Sequence, residues 1–443
     1  MPDRRKMTRR VAAWAIAFLA LCPAATAATA TAANRGPDGS RAAVRHVSIM
    51  GAWAGADEKS FRAVLDEFET ASPGTTVTYD SAGDALPDTL LKALAAGKGP
   101  DVAILPTPLL MNRLAAGHGL RPLSFARATV AANYAPAWLK VGSVRGNLYG
   151  IVFEASNKST VWYDVKAFRG AGLKSPATFP DLLRSARALR SSGTRAYSIA
   201  GADGWTLADL FENVYLRQAG AKRYDLLAEH KLRWTDPSVK AALRTTANIL
   251  GDRTNIPGGT AGALETDLAE SVSQVFEAPS KAAMVIEGDF VAPVITASTS
   301  AQPGVDFDVF AFPPIGKSGR VVVGGTDASI VVLTRSTPAA RALVSFLATA
   351  RAASVWVKRG GFTSPNRRVS SKLYEDGIRR RVAGALARAQ IFRWDLSELQ
   401  PASFSSTAEQ GEPKIFQDFL RNPGSVNATA AALERAAVQA YKK

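Results

Sequence analysis

Cysteine is almost absent from this chain, and its single example, Cys22, falls in an N-terminal stretch whose composition differs from the rest. The body of the protein therefore has no disulfide and no thiolate metal site. Histidine is nearly as scarce. His46, His118 and His230 lie far apart, no Gly-x-Ser-x-Gly elbow accompanies them, and no His/carboxylate cluster has metal-ligand spacing. Serine-hydrolase and metal chemistry thus lack their usual carriers. Val323-Gly324-Gly325-Thr326 is glycine-rich but lacks the lysine of a phosphate-binding loop. No segment stays apolar and uncharged over the 18 or so residues of a membrane-spanning helix. On this reading the protein uses no metal or cofactor and is not an enzyme.

The N-terminal stretch carries Arg4, Arg5, Lys6, Arg9 and Arg10, then an apolar run over residues 11–21, then small residues to Ala33. This is the layout of a secretory signal peptide, assigned to 1–33, with a polar linker at 34–43. Two fates are open for Cys22. It leaves with the leader if cleavage follows Ala25-Thr26-Ala27, or it is the acylated first residue of a lipoprotein and tethers the chain to a membrane.

Roughly 410 residues remain, enough for two domains with cores of their own. An apolar content of 47% with 21% charged residues is that of a globular chain. The formal charge is +16. Five basic residues against Asp3 give the leader +4, leaving about +12 scattered along the remainder. A nucleic-acid surface needs such charge gathered on one face, so no nucleic-acid partner is expected. The densest run, Arg379-Arg380-Arg381, follows Glu375 and Asp376 and reads as a solvated helix face.

Alternation over 44–50 marks a strand that ends at Gly51-Ala52-Trp53-Ala54-Gly55. Phe61, Val64, Leu65 and Phe68 then fall at i, i+3, i+4 and i+7, one stripe of a helix stopped by Ser72-Pro73-Gly74. Strands at 77–79 and 100–105 flank a helix at 90–96, giving a βαβαβ start that calls for a parallel sheet covered by helices. Another strand, at 149–152, precedes Asn157-Lys158, helices fill 180–250, and short strands return at 284–286, 307–310 and 330–333 before helices at 339–358. The order predicts an α/β chain of two domains joined by two or three crossings. Domain 1 is assigned to 44–155 plus 284–334, domain 2 to 156–283 plus 335–443.

Five segments in order carry a family resemblance. They are 51–61, Gly-Ala-Trp-Ala-Gly-Ala-Asp-Glu-Lys-Ser-Phe; Ala96 to Ala103, with Gly99-Pro100-Asp101; Tyr149-Gly150 with Asn157-Lys158-Ser159-Thr160-Val161-Trp162-Tyr163; Trp234-Thr235-Asp236-Pro237-Ser238-Val239-Lys240; and Gly360-Gly361-Phe362-Thr363-Ser364-Pro365-Asn366. The chain resembles the extracellular solute-binding proteins of carbohydrate ABC transporters, near the branch that takes up α-glucosides and related oligosaccharides. The resemblance implies a two-domain periplasmic-binding-protein-like clamp (type II), each domain a mostly parallel sheet flanked by helices. It further implies an exported, monomeric protein of the cell envelope that captures a sugar in the interdomain cleft and delivers it to permease subunits. One departure bears on the cargo: a short Ala278–Ala283 stretch and then Glu287-Gly288-Asp289-Phe290 stand where an aromatic and charged cluster is expected.

A sugar offers apolar C–H faces and a belt of hydroxyls, so its site needs flat aromatics, carboxylates and a few cations. The candidates are Trp53 and Glu58 at the first βα corner, where open α/β sheets bind ligands; Asp84 in the loop after the second strand; and Lys158 at the first crossing. Trp205 and Asp209 follow in the helical middle, then Asp289 and Asp327 in glycine-bearing loops, and Phe362 near the C-terminal helices. Trp162 and Trp356 read as core. The competing functions are a glycosidase using carboxylates such as Asp203, Asp209 and Glu212, and a sugar-binding clamp that feeds a sensor.

Overall fold

The computed structural model describes residues 44–325, 329–405 and 411–442. The assigned signal peptide and linker, Cys22 and Asp327 lie outside the described residues. Thirteen strands are formed there. They are β1 (Arg45–Gly51), β2 (Thr75–Ser81), β3 (Val102–Leu105), β4 (Ser143–Val144), β5 (Asn147–Leu148), β6 (Gly150–Glu154), β7 (Thr160–Asp164), β8 (Arg195–Ser198), β9 (Ala282–Ile286), β10 (Phe307–Ala311), β11 (Val321–Gly324), β12 (Ser329–Leu333) and β13 (Ile391–Trp394). From Val44 onward the chain is one compact unit built on two sheets.

The first sheet has the order β2-β1-β3-β12-β6. Its first three strands are parallel, as the βαβαβ pattern requires, while β12 runs antiparallel to both neighbours. The helix Gly55–Ala71 buries Phe61, Val64, Leu65 and Phe68, the four residues of the predicted stripe. They join Val47, Ile49, Ile104, Val331 and Trp356 in one core. At about 1.5–3 kcal/mol per fully buried large apolar side chain, such a stripe contributes several times what helix propensity does.

The second sheet, β10-β7-β9-β8, is mixed rather than mostly parallel, because β7 pairs antiparallel with both β10 and β9 and only β8–β9 is parallel. Successive residues of β7 face opposite sides: Val161 enters a large helical core with Phe211, Tyr215 and Trp234, and Trp162 a smaller one with Phe307, Ile378 and Val382.

Strand pairing corrects the domain assignment. The sequence order puts β9 and β10 with the first domain, yet both belong to the second sheet, and β12 alone of the late strands returns to the first. The helices Pro338–Leu347 and Ala350–Val357, assigned to the second domain, instead cover β12 and the helix Gly55–Ala71. A short apolar run announces a buried strand without saying which sheet holds its hydrogen-bond partners. Among the described residues no single helix is long and apolar enough to cross a membrane.

The lobes meet where three stretches of backbone lie side by side: residues 156–159, the end of β11, and the end of β13, which pairs with β11 in parallel. Lys158 N–H donates to the Val323 carbonyl, Val323 N–H to Ser159 Oγ, Gly325 N–H to Ser156 Oγ, and Asp395 N–H to the Gly324 carbonyl. A Cβ on Gly325 would fall 2.3 Å from the Lys158 side chain, and one on Gly324 would fall 2.4 Å from the Phe392 ring. Gly324 and Gly325 thus admit the neighbouring crossing.

Lys158 Nζ is buried here, 2.5 Å from Asp395 and 3.0 Å from Asp209. Removing one partner of a buried pair leaves uncompensated charge, at about 3–5 kcal/mol. Lys158→Met is expected to lower unfolding stability by about that much in urea titration; a loss under about 1 kcal/mol would show that the triad does not hold the crossings together.

Candidate functional site

A cavity of about 510 Å³ opens between the lobes, within the 300–1,000 Å³ or so typical of small-ligand sites. The first lobe supplies Ala52 and Trp53 after β1, Asp84 after β2, Ile104 to Pro106 at the end of β3, and Glu154 at the end of β6. These are carboxyl ends of strands, with β12 contributing Ser329 where it enters the sheet. The second lobe supplies Asp289, Phe290 and Pro293 with Ile378, Arg379 and Val382.

Trp53 is half-buried and held from behind. Its ring lies 4.7 Å from those of both Phe61 and Trp356, and the Tyr79 hydroxyl donates to its carbonyl at 3.0 Å. A platform fixed this way loses little freedom when a ligand stacks on it. Glu58, one residue beyond Asp57, is turned away and pairs with Arg62 at 2.7 Å, while Asp57 lines the cavity. Adjacent helical residues differ by about 100° in direction, so only one of the two can face the cleft. Desolvation at the cavity wall raises the Asp57 carboxyl above its ordinary range.

Asp84, in the single turn Gly83–Ala85, and Asp289 both line this cavity. Phe362 does not. It is 2% exposed and stacks on Trp356 at 4.7 Å with an interplanar angle of 20°, so it backs the platform's support from within the core. Trp162 is fully buried, its indole N–H donating to the Gly288 carbonyl at 3.0 Å, and it backs the cavity floor. Arg379, read as part of a solvated run, reaches the cavity from the helix Gly377–Ala387, whose apolar face carries Ile378 and Val382. Its neighbour Arg381 pairs with Asp308 outside.

Behind Phe290, which lines both spaces, the second lobe holds a chamber of about 370 Å³. Lys158, Asp209, Glu212, Ser397 and Glu412 form its polar wall, and Trp205 lines it as well. Trp205 begins the helix Trp205–Ala228 after Gly204, whose φ of 69° suits glycine. Its ring stands 5.4 Å from Lys158 Nζ and 5.9 Å, edge-on, from Phe290. The candidates thus separate into a cleft group, Trp53, Asp84 and Asp289, and a chamber group, Lys158, Trp205 and Asp209.

Burial governs the chamber's protonation. It pushes Asp209 up to about 6, although the Lys158 charge opposes it, and Glu412 up to about 8, with Asp395 and Asp209 adding repulsion. Glu212 lies well above the carboxylate range, by burial and then repulsion from Asp395. Burial alone would lower Lys158, but Asp209 and Asp395 together hold it well above its usual value. Asp395 and Glu412 escaped sequence reasoning because they stand more than 200 residues beyond Lys158 in the chain, and Asp57 because Glu58 beside it is equally acidic. Asp203, weighed as a catalytic carboxylate, accepts from Leu268 N–H at 2.7 Å.

Since Glu412 binds its proton more tightly folded than unfolded, the native chain holds more protons between the ordinary glutamate value and about 8. Stability therefore falls as pH rises through that window. Glu412→Gln is expected to flatten this decline, so that its thermal midpoint overtakes that of the parent as pH goes from about 5 to 8. Parallel curves for the two proteins would show that Glu412 does not titrate there.

The geometry has counterparts in known proteins. Residues 52–354 match the family model described as bacterial extracellular solute-binding protein. The osmoprotective compounds-binding protein GgtB of Synechocystis is 29% identical over 81% of this chain and 85% of its own length. The alpha-glucosides-binding periplasmic protein AglE of Rhizobium meliloti is also 29% identical, over 82% of this chain and 81% of its own. Among solved structures, the bacterial solute receptor AcbH superposes with a TM-score of 0.78 at 17% identity, covering 90% of this chain and 99% of that one. RafE from Streptococcus pneumoniae does so at 0.72 and 15%, covering 92% and 100%. Members of this family are binding proteins, and the chain belongs to it: it is a bacterial extracellular solute-binding protein.

Proposed function

We propose that this protein is the substrate-binding component of an ABC transporter, taking a sugar or oligosaccharide into the interlobe cleft and passing it to permease subunits. The observation that carries the reading is the cleft's composition. An aromatic platform, Trp53, stands at the mouth of the first sheet among Asp57, Asp84, Glu154 and Asp289, with Arg379 opposite. An aromatic face meets the apolar side of a pyranose, and carboxylates and a guanidinium take its hydroxyls as acceptors and donors. The relatives named for α-glucosides and for multiple sugars favour the same class.

The protein acts on this reading as a carrier, not a catalyst. Glu212, weighed as a glycosidase carboxylate, accepts from the Tyr224 hydroxyl and from Leu396 N–H, and Asp209 is committed to Lys158. Export to the periplasm or cell surface follows from the basic and apolar leader. A monomer, tethered through Cys22 or released with the leader removed, fits the same role.

Binding stabilises the native state by mass action, about 2.7 kcal/mol at a ligand concentration of 100 Kd. A thermal-shift panel of mono- and oligosaccharides is expected to raise the midpoint for at least one sugar. Trp53→Ala is expected to weaken that sugar about tenfold, the equivalent of 1.4 kcal/mol, by titration calorimetry. A panel in which only peptides, polyamines or anions shift the midpoint overturns the carbohydrate reading, and turnover of a bound glycoside overturns the carrier reading.

A further inference from the structure

The chamber behind Phe290 contains more acid than the fold can neutralise. Asp209, Glu212 and Asp395 act on one cation, Lys158, whose ammonium is already taken by Asp209 and Asp395, and Glu412 adds a further acid to the same wall. Glu287, buried nearby, adds a further carboxyl that feels Asp209 and Lys158. Tyr224 donates to Glu212 Oε2 at 2.8 Å and Leu396 N–H donates to the same oxygen at 2.9 Å.

The remaining oxygens define the vacant chemistry. Glu212 and Glu412 are each 1% exposed, both line the chamber, and Oε1 of each has no hydrogen-bond partner among the described residues. A buried polar atom left this way costs about 1–3 kcal/mol, more when charged, so a fold that keeps two of them in one space has a reason outside its own stability. Trp205, Phe290, Leu268 and Ala208 make the rest of the wall apolar and aromatic. Aromatic rings beside carboxylates suit an organic cation. A metal ion fits less well: among the described residues no group of three or more acids and histidines is arranged to hold one.

We propose that this chamber receives a protonated amine, and that the transported solute is an amino-substituted sugar whose ammonium group lies between Glu212 and Glu412 while its carbon skeleton rests against Trp205 and Phe290. The substrate class rests on the carbohydrate reading above; the amine site itself rests on the chamber alone. Phe290 borders both spaces, so the chamber adjoins the cleft that Trp53 lines.

The site also exchanges one cation for another. Without ligand, protons neutralise Glu412 and Glu212; an arriving ammonium takes their place and the protons leave. Glu412 faces Asp395, Asp209 and Glu212, and Glu212 faces these together with Lys158 and Tyr224, so among the described residues the one fixed positive charge in the group is Lys158. Affinity for an amine that stays protonated should therefore rise with pH up to about 8, while a neutral sugar shows no such rise.

Calorimetry on the mature protein can compare 6-amino-6-deoxyglucose, glucosamine and the β-1,4-linked glucosamine disaccharide with glucose and cellobiose. At least one amino sugar is expected to bind about tenfold or more tighter than its neutral parent near pH 7.5. For 6-amino-6-deoxyglucose the advantage should grow from pH 6 to 8. Glu212→Gln, which keeps an oxygen for Tyr224 and Leu396, and Glu412→Gln should each erase the preference. If neither variant folds, the pH series on the parent protein decides. Neutral sugars that bind as well as their amines across this range overturn the inference and leave the carbohydrate reading standing. Binding of putrescine with no response to any sugar upholds the chamber and overturns the carbohydrate reading. An absence of binding by every amine overturns the inference outright.

Discussion

A buried ammonium must find anionic partners or lose its charge, and Lys158 finds two, Asp209 from the helix Trp205–Ala228 and Asp395 just after β13. Because Lys158 belongs to the first crossing and Asp395 follows the strand that pairs with β11, this one group fastens together the stretches of backbone that pass between the lobes. Everything near it is arranged around the close approach that the pair demands. Gly324 and Gly325 leave no side chain in the way, and Ser156 and Ser159 turn their hydroxyls to the backbone of β11 and its exit. The junction is held by charge and by main-chain contact, and its strands β11 and β13 also send apolar side chains into the cores of both lobes.

That junction lets each lobe present a prepared surface. In the first lobe, three parallel strands end together and deliver Trp53, Asp84 and the Ile104 to Pro106 turn to one rim. Trp53 is kept in place by packing on Phe61 and Trp356, and Phe362 in turn supports Trp356. The aromatic residues of this lobe thus form a stack in depth, of which only the outermost ring meets the cleft. In the second lobe the antiparallel entry of β7 sends Trp162 to one face and Val161 to the other. The small core on the Trp162 side also receives Ile378 and Val382, which carries the helix bearing Arg379 to the cleft wall.

Local pattern was legible in the sequence and long-range pairing was not. Periodicity located β1, the helix Gly55–Ala71 and the late strands, since alternation and a 3.6-residue stripe are properties of a segment on its own. The sheet to which β9 and β10 belong depends on hydrogen bonds with β7 and β8, more than 80 residues earlier, and no property of the five residues in β9 records it. The site divides along the same line. Trp53, Asp84 and Asp289 stand at strand ends or in loops, where position in a βα unit is informative. Glu58 and Asp57 share type and neighbourhood, and only the helix phase separates them. Phe362 beside Gly360-Gly361 has the look of a rim residue, but its neighbours Trp356 and Phe153 draw it inward. Asp395 and Glu412 carry no local signature at all.

Charge is distributed in a way that composition alone conceals. A chain with a formal excess of about twelve positive charges after its leader nevertheless gathers carboxylates on its concave surfaces: Asp57, Asp84, Glu154 and Asp289 in the cleft, Asp209, Glu212 and Glu412 in the chamber. The arginines lie mainly outside, many of them paired, as Arg62 with Glu58, Arg351 with Glu67 and Arg381 with Asp308. Salt screens such exposed charges within about 10 Å at 0.1 M, whereas groups inside low-dielectric walls keep most of their mutual field. The positive exterior therefore matters little to a solute already in the cleft, and the acidic lining decides what is held. Retaining buried acids whose oxygens have no partner among the described residues runs against stability, and local choices that oppose stability in one place are where function is normally found.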